Sequence, residues 1–298
     1  MRAHRVDIRS PTPLHSDVHR SNPPTPDSTL QSTPRSAGRS RVVGAIPARW
    51  GSSRLPGKPL TDLAGHPMIE HVYRRTAAAQ SLERAVVLTD DERIADAVRG
   101  FGGEVEMTPA DCTSGTDRIA HAARGWDGVD GVINVQGDWL IEPALIDRLA
   151  RHLHEHPEDA VATLAVPARP EEMAAAAAVK VVRDRRGYAL YFSRAAIPYR
   201  RDEPAGEALP GAGPLKHWGI YGYRRDALLR LADLEPTPLE RTESLEQLRA
   251  LENGIPIRVL TVEGQALSVD TPEDAARVSA ALAAGTTDRT SPPDPAEA

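Results

Sequence analysis

Residues 45–60 read AIPARWGSSRLPGKPL. An apolar run at 42–46 leads directly into this loop, which is rich in Gly, Ser, Arg and Pro. Arg49, Arg54 and Lys58 are spaced along it among Gly51, Ser52, Ser53 and Gly57. Small residues let backbone N–H groups come close to an anion, and three fixed cations can neutralise several phosphate oxygens. A strand feeding such a loop predicts the first unit of a nucleotide-binding α/β domain. The loop is not of the Walker type: the glycine spacing before Gly57-Lys58 is wrong, and Pro59 rather than Ser or Thr follows the lysine. The alternative reading is an exposed basic turn. Its position straight after a strand favours a site, since such loops often carry function.

Outward from this loop, short apolar runs alternate with helical patterns. Strands are predicted at 42–46, 85–89, 104–107 and 132–136, and helices at 68–79, 92–101 and 117–124. Met68, Ile69, Val72 and Thr76 share one face of the first helix at three- and four-residue spacing. This alternation predicts a Rossmann-like α/β fold of the nucleotidyltransferase type, a mostly parallel central sheet flanked by helices. The second half is more mixed, with strands at 160–166, 179–182, 188–192, 218–223 and 257–262. DRRG at 184–187 reads as a hairpin turn, 238–253 as one helix ending at Gly254, and 272–282 as a closing helix. The expected organisation is a disordered, Pro-rich extension at 1–41, a catalytic domain at 42–284 and a disordered tail at 285–298, with a smaller mixed α+β subregion at about 160–235.

Four polar segments sit where strands end or a helix begins. Thr89-Asp90-Asp91 closes an apolar run, a position suited to nucleoside contact, although Asp91 reads first as an N-cap for the helix at 92, a role compatible with such contact. Thr113-Ser114-Gly115-Thr116-Asp117-Arg118 offers hydroxyls, amides and a guanidinium to a base or ribose, or simply caps a helix. Asn134-Val135-Gln136-Gly137-Asp138 delivers Asp138 to the carboxyl edge of the sheet, opposite the cationic loop, where it could hold Mg2+ bridging phosphates. Asp270, in VDTPED, follows the last strand; alone it reads equally as a turn or cap residue. Two carboxylates from distant strand ends together with three cations make a phosphoryl-transfer constellation.

PAR-x-x-S-x-RLPGKPL resembles the opening signature of the 3-deoxy-manno-octulosonate (KDO) cytidylyltransferases, and the similarity runs from about 42 to 282. The resemblance implies CTP-dependent activation of KDO, giving CMP-KDO and pyrophosphate for lipopolysaccharide synthesis. It makes Asp138 and Asp270 Mg2+ ligands, and Arg49 and Lys58 catalytic beside them. It assigns the nucleotide to Pro47, Ala48, Arg49, Ser53, Arg54, Lys58, Thr89, Asp90, Ser114, Gly115, Thr116, Arg118 and Gln136. The acidic sugar falls to Gln136, Tyr188, Tyr191, Arg194, His217, Tyr221, Glu246 and Gln247, with Arg194 suited to a bidentate carboxylate. Taken by themselves, the strand tyrosines read as core, Glu246 as a solvated helix residue and His217 as structural. A homodimer is also implied. The chain departs from the family in three places. His121 stands where Glu is usual, QGDWLIEP replaces the QGDEP continuation with Trp139 at the acidic position, and Ala174–Ala178 replaces Asn and Pro. The rival readings are another acidic sugar (an 8-amino KDO analogue or a sialic acid) and a catalytically impaired binding module.

Bulk properties narrow the class. With net charge −6 and only 4% aromatic residues, the 298-residue chain lacks both the basic field and the stacking platforms of a nucleic-acid binder. Cys112 is the single cysteine, so there is no intrachain disulfide and no Cys-rich zinc site. It reads as an ordinary small loop residue. No apolar run reaches the length of a membrane span and the N-terminus lacks a secretory hydrophobic region, so the expected location is the cytoplasm, with no membrane partner.

Overall fold

The computed structural model describes residues 40–51, 55–199, 201, 213–264 and 266–285. The expected extension at 1–41 lies almost wholly outside the described residues, as do Ser53, Arg54 and most of the tail. The first strand, β1 (Val42–Pro47), is buried on both sides. Val42 and Ile46 pack into one hydrophobic cluster, Val43 and Ala45 into another. That is the pattern of a strand covered on both faces, and burying a side chain the size of Ile46 contributes about 1.5–3 kcal/mol.

Two short strands follow, β2 (Asp62–Leu63) and β3 (His66–Pro67), then α1 (Met68–Ala77), β4 (Arg84–Thr89), α2 (Glu92–Gly100), β5 (Val105–Met107), α3 (Gly115–Arg124) and β6 (Gly131–Asn134). Strands β5, β4, β1 and β6 lie side by side and all run parallel. Next come β7 (Trp139–Ile141), α4 (Pro143–Glu155), β8 (Val161–Pro167), α5 (Pro170–Ala174), β9 (Lys180–Arg183), β10 (Ala189–Ser193) and β11 (Leu215–Arg224). The chain closes with α6 (Arg225–Ala232), α7 (Pro238–Glu243), α8 (Gln247–Glu252), β12 (Ile257–Thr261), β13 (Ala266–Ser268) and α9 (Pro272–Ala283). Side chains of α1, α2, α4 and α9 fill the first cluster, and those of α3, α6 and α8 the second, so helices cover both faces of the sheet. No helix among the described residues is long and apolar enough to cross a membrane.

The long strand β11 joins the parallel half to a mixed half. Tyr221 to Arg224 pair antiparallel with β6, while Leu215 and Lys216 pair antiparallel with β9. β8 runs antiparallel along the other edge of β11 and carries β12 in parallel. Between Lys216 and Tyr221, β11 therefore has no strand on the β6 side, and the sheet forks there. A bulge in the β8 pairing falls in the same interval, between Trp218 and Tyr221, and re-aims the side chains around it. β9 and β10 form the expected hairpin, with Gly187 N–H bonded to the Asp184 carbonyl and Gly187 at φ +89°.

One predicted element divides. The expected helix at 238–253 is two helices, α7 and α8, separated at Ser244, whose backbone is left-handed at φ 51°. Three further helices, α4, α5 and α6, lie in spans for which the sequence predicts no element.

Candidate active site

Three loops meet at the carboxyl ends of β1 and β6 and at the start of α3. They meet closely because two positions lack a side chain. A Cβ at Gly137 would stand 2.8 Å from the Pro47 carbonyl oxygen, and one at Gly115 would stand 3.2 Å from the Pro47 ring. Together the loops enclose a cavity of about 440 Å3, lined by Pro47, Ala48, Arg49, Lys58, Ser114, Gly115, Arg118, Gln136, Asp138 and Asp270, with Cys112 at its wall.

The lysine of the opening loop lines this cavity and joins two of its carboxylates. Lys58 Nζ donates to Asp138 Oδ2 at 2.6 Å and to Asp270 Oδ1 at 3.0 Å. Lys58 begins a single 3-10 turn, Lys58–Leu60, after Gly57 at φ 69°. The two acids are 132 positions apart in the sequence, but β7 and β13 pair antiparallel and the Val269 amide donates to the Asp138 carbonyl at 3.1 Å, which ties the two segments together. Trp139, the departure from the family pattern, is the first residue of β7, opposite Ser268. Its ring meets Trp218 edge-on at 6.2 Å. The change thus lies within the ladder that holds Asp138 and leaves that carboxylate in place.

On the opposite wall, Arg118 is buried. It donates to Thr108 and pairs with Asp90 at 3.3 Å. Asp90 therefore orients the guanidinium and does not line the cavity. Thr89 is fully buried, its hydroxyl accepting from the Asp91 amide, and Asp91 caps α2 through the Arg93 amide. Ser114 forms a capping box with Asp117, so its own amide is committed to the Asp117 carboxylate. The Ser114 and Thr116 hydroxyls, expected at the nucleotide, both donate to Glu246 at 2.9 Å. Glu246 is consequently drawn into the interior rather than solvated. Burial raises its carboxyl pKa, against the two hydroxyl bonds that lower it.

A second cavity of about 430 Å3 lies in the fork of the sheet. Arg194, His217, Tyr221, Glu246 and Gln247 line it, with Gln136 shared between both cavities. Thr116 faces this cavity, not the first. His217 is buried, and burial depresses its imidazole pKa to about 3. The Thr163 hydroxyl donates to the Ile220 carbonyl at 2.7 Å, so its 3.0 Å contact with His217 Nε2 must be received from the imidazole. His217 is thus neutral, protonated on Nε2, with Nδ1 as an acceptor. Two buried polar atoms on this wall have no protein partner, Asn134 Oδ1 and Gln247 Nε2. Buried groups of this kind are rare unless a ligand or water meets them. From the sequence Asn134 opens the 134–138 segment with no role of its own, inside the strand predicted at 132–136; in the structure it is the last residue of β6.

Tyr188 and Tyr191 line neither cavity. The Tyr188 hydroxyl donates to buried Asp159 at 2.6 Å and its ring lies 3.8 Å under the Arg258 guanidinium. Tyr191 lies 3.4 Å from Glu243 through its hydroxyl. Both hydroxyls are directed at carboxylates of the protein, Asp159 and Glu243, rather than at either cavity.

A cytidylyltransferase family model matches residues 43–259. A 3-deoxy-manno-octulosonate cytidylyltransferase of Syntrophotalea carbinolica is 50% identical over 246 residues, covering 81% of this chain and 98% of the relative. This chain belongs to the cytidylyltransferase family. A mitochondrial 3-deoxy-manno-octulosonate cytidylyltransferase of Arabidopsis thaliana is 43% identical, covering 82% of this chain and 84% of the relative. Among solved structures, a CMP:2-keto-3-deoxy-manno-octonic acid synthetase complexed with CTP superposes with a TM-score of 0.77. It is 43% identical, covering 83% of this cytidylyltransferase and all of that chain.

Proposed function

We propose that this cytidylyltransferase joins CTP to 3-deoxy-D-manno-octulosonate, releasing pyrophosphate and forming CMP-KDO, an activated donor for lipopolysaccharide assembly. The observation that carries this reading is the pair of adjoining cavities. One is lined by Arg49, Lys58, Arg118 and two carboxylates, the other by Arg194, His217 and unpartnered buried amides, and Gln136 lies at their boundary. The relatives named for this reaction and the CTP complex support it.

In this mechanism the anomeric hydroxyl of the sugar attacks the α-phosphorus. The new O–P bond forms as the bond to the β-phosphate oxygen breaks, pyrophosphate departs and the hydroxyl proton passes to solvent. Arg49 and Lys58 offset the charge of the triphosphate, and Arg118 with the first-turn amides of α3 holds the nucleoside. Arg194 takes the sugar carboxylate, and neutral His217 offers an acceptor to a sugar hydroxyl. Asp138 and Asp270 fit a divalent cation, since both are hard oxygen donors that already share one positive charge, the Lys58 ammonium. When bound there, Mg2+ supplies Lewis-acid polarisation of the α-phosphoryl group. Most of the acceleration comes from positioning and electrostatics, and no nucleophilic side chain is required. Cytoplasmic residence and a homodimer are part of the proposal. Leu190, exposed on the edge strand β10, offers apolar surface for the dimer.

The test is a sugar panel: CTP and Mg2+ with KDO, an 8-amino analogue or a sialic acid, scored by pyrophosphate release. Turnover greatest on KDO is expected. Turnover on one of the other sugars reassigns the substrate, and CTP binding without turnover on any of them overturns the enzymatic reading.

A further inference from the structure

The five consecutive alanines at 174–178 form part of the second cavity's wall, through Ala177 and Ala178, yet offer no polar side chain to hold that wall in place. What holds it is a buried charge. Lys180, the first residue of β9, is fully buried, and its ammonium donates to three backbone carbonyls: Ala175 at 3.0 Å, Ala178 at 2.6 Å and Arg194 at 2.6 Å. An ammonium normally sits in water or beside a carboxylate. Here burial and the neighbouring Arg194 guanidinium lower its pKa, opposed by Glu243.

Arg194 completes the lock. Its guanidinium donates to the carbonyls of Ala176 at 3.1 Å, Glu243 at 2.9 Å and Ser244 at 3.3 Å, and its amide donates to the Glu243 carboxylate at 3.0 Å. The lysine grips the arginine's backbone, and the arginine's fork grips the same alanine loop and the break between α7 and α8. Each of the three guanidinium nitrogens makes one of these bonds, which leaves one N–H on each terminal nitrogen for a ligand. The direction of those two N–H groups is fixed by where the Arg194 backbone and the alanine loop stand.

We propose that Lys180 is a positioning residue for the acidic sugar: its ammonium sets the alanine wall and the Arg194 main chain, and so aims the Arg194 guanidinium at the sugar carboxylate. The proposal rests on reading the second cavity as the sugar site. None of the residues that Lys180 binds lines the first cavity, so its influence is confined to the sugar side.

The experiment compares wild type, Lys180→Met and Lys180→Gln by steady-state kinetics, with CTP affinity measured separately by calorimetry. Misplacing a charged clamp by about an ångström costs on the order of ten- to a hundredfold. The sugar KM is therefore expected to rise by about that factor in Lys180→Met, with CTP affinity within about twofold of wild type. Lys180→Gln, which keeps N–H donors without the charge, is expected to fall between the two. An unchanged sugar KM overturns the proposal. So does loss of CTP binding or of the cooperative unfolding transition in both variants, which makes Lys180 a residue of the whole fold. Absence of turnover by the wild type on any acidic sugar instead removes the underlying reading of the cavity.

Discussion

Replacing Lys58 by methionine keeps the side-chain volume and deletes the charge that Asp138 and Asp270 share. Lys58 is 12% exposed in its side chain, and the two acids are 31% and 38% exposed. A solvated ion pair is worth about 0–1 kcal/mol, whereas breaking a fully buried one costs about 3–5 kcal/mol. With acids that retain a third of their exposure, the bridge lies nearer the lower figure, at about 1–2 kcal/mol. For a folded unit of this size, 1 kcal/mol moves Tm by about 2–4 °C, so the variant should melt about 2–8 °C below wild type in EDTA. Two carboxylates deprived of their ammonium should then take Mg2+ in its place. A ligand at about a hundred times its Kd stabilises by about 2.7 kcal/mol, enough to close the gap. The assay is thermal unfolding by circular dichroism, wild type against Lys58→Met, with EDTA and with saturating Mg2+. Equal Tm in EDTA, or a variant indifferent to Mg2+, would refute the reasoning, because either result means that the two acids do not form a shared cation site.

Other expectations follow from the same geometry. Glu246→Gln should relieve a buried charge. Because the Glu246 carboxyl pKa is raised in the folded state, wild type loses stability relative to the variant as pH rises above about 4.5 through the raised value, and identical pH profiles of Tm would contradict this. Glu172 behaves oppositely. Burial opposes its ionisation, but hydrogen bonds from Arg169 and Lys216 prevail and hold it at about 2, so its contribution is present above the unfolded value and disappears as pH falls from about 4.5 towards 2. Glu172→Gln should flatten that acid limb of the Tm profile, and an unaltered limb would count against it. Cys112, on the wall of the first cavity, is a native reporter. Burial raises its thiol pKa, so alkylation should be slow at neutral pH and faster in alkali. CTP should protect it; a rate indifferent to CTP would separate this cavity from the nucleotide.

The parallel half of the fold was readable because its signals are local. Apolar runs ending in Gly, Ser and Asp mark β1, β4 and β6, and the spacing of Met68, Ile69 and Val72 marks α1. α4 lies outside the predicted elements although Leu145, Ile146, Leu149, Ala150 and Leu153 recur at helical spacing and are buried. The break at Ser244 was not legible: the leucines on either side keep a helical rhythm, and the reversal is set by tertiary partners, Arg194 bonding the Glu243 and Ser244 carbonyls. At the site, the motifs named the right chain segments. They could not tell which way a side chain turns. Glu246 reads as a solvated helix residue until Ser114 and Thr116 are seen to donate to it, and Tyr188, core by its strand position but a sugar contact by the resemblance, proves to have its hydroxyl taken by Asp159. Lys180 gave no signal, because a lysine on a strand of valines is ordinarily exposed at its tip.

The central claim is that Asp138 and Asp270 jointly hold the divalent ion that faces the triphosphate. The most direct measurement is anomalous diffraction from crystals grown with CTP and Mn2+ as a stand-in for Mg2+. A manganese peak at direct coordination distance from both carboxylates, with Lys58 moved off the pair or turned to the phosphates, is the predicted result. A peak held by the nucleotide alone, or by acids elsewhere such as Glu158 and Asp159, would contradict the account.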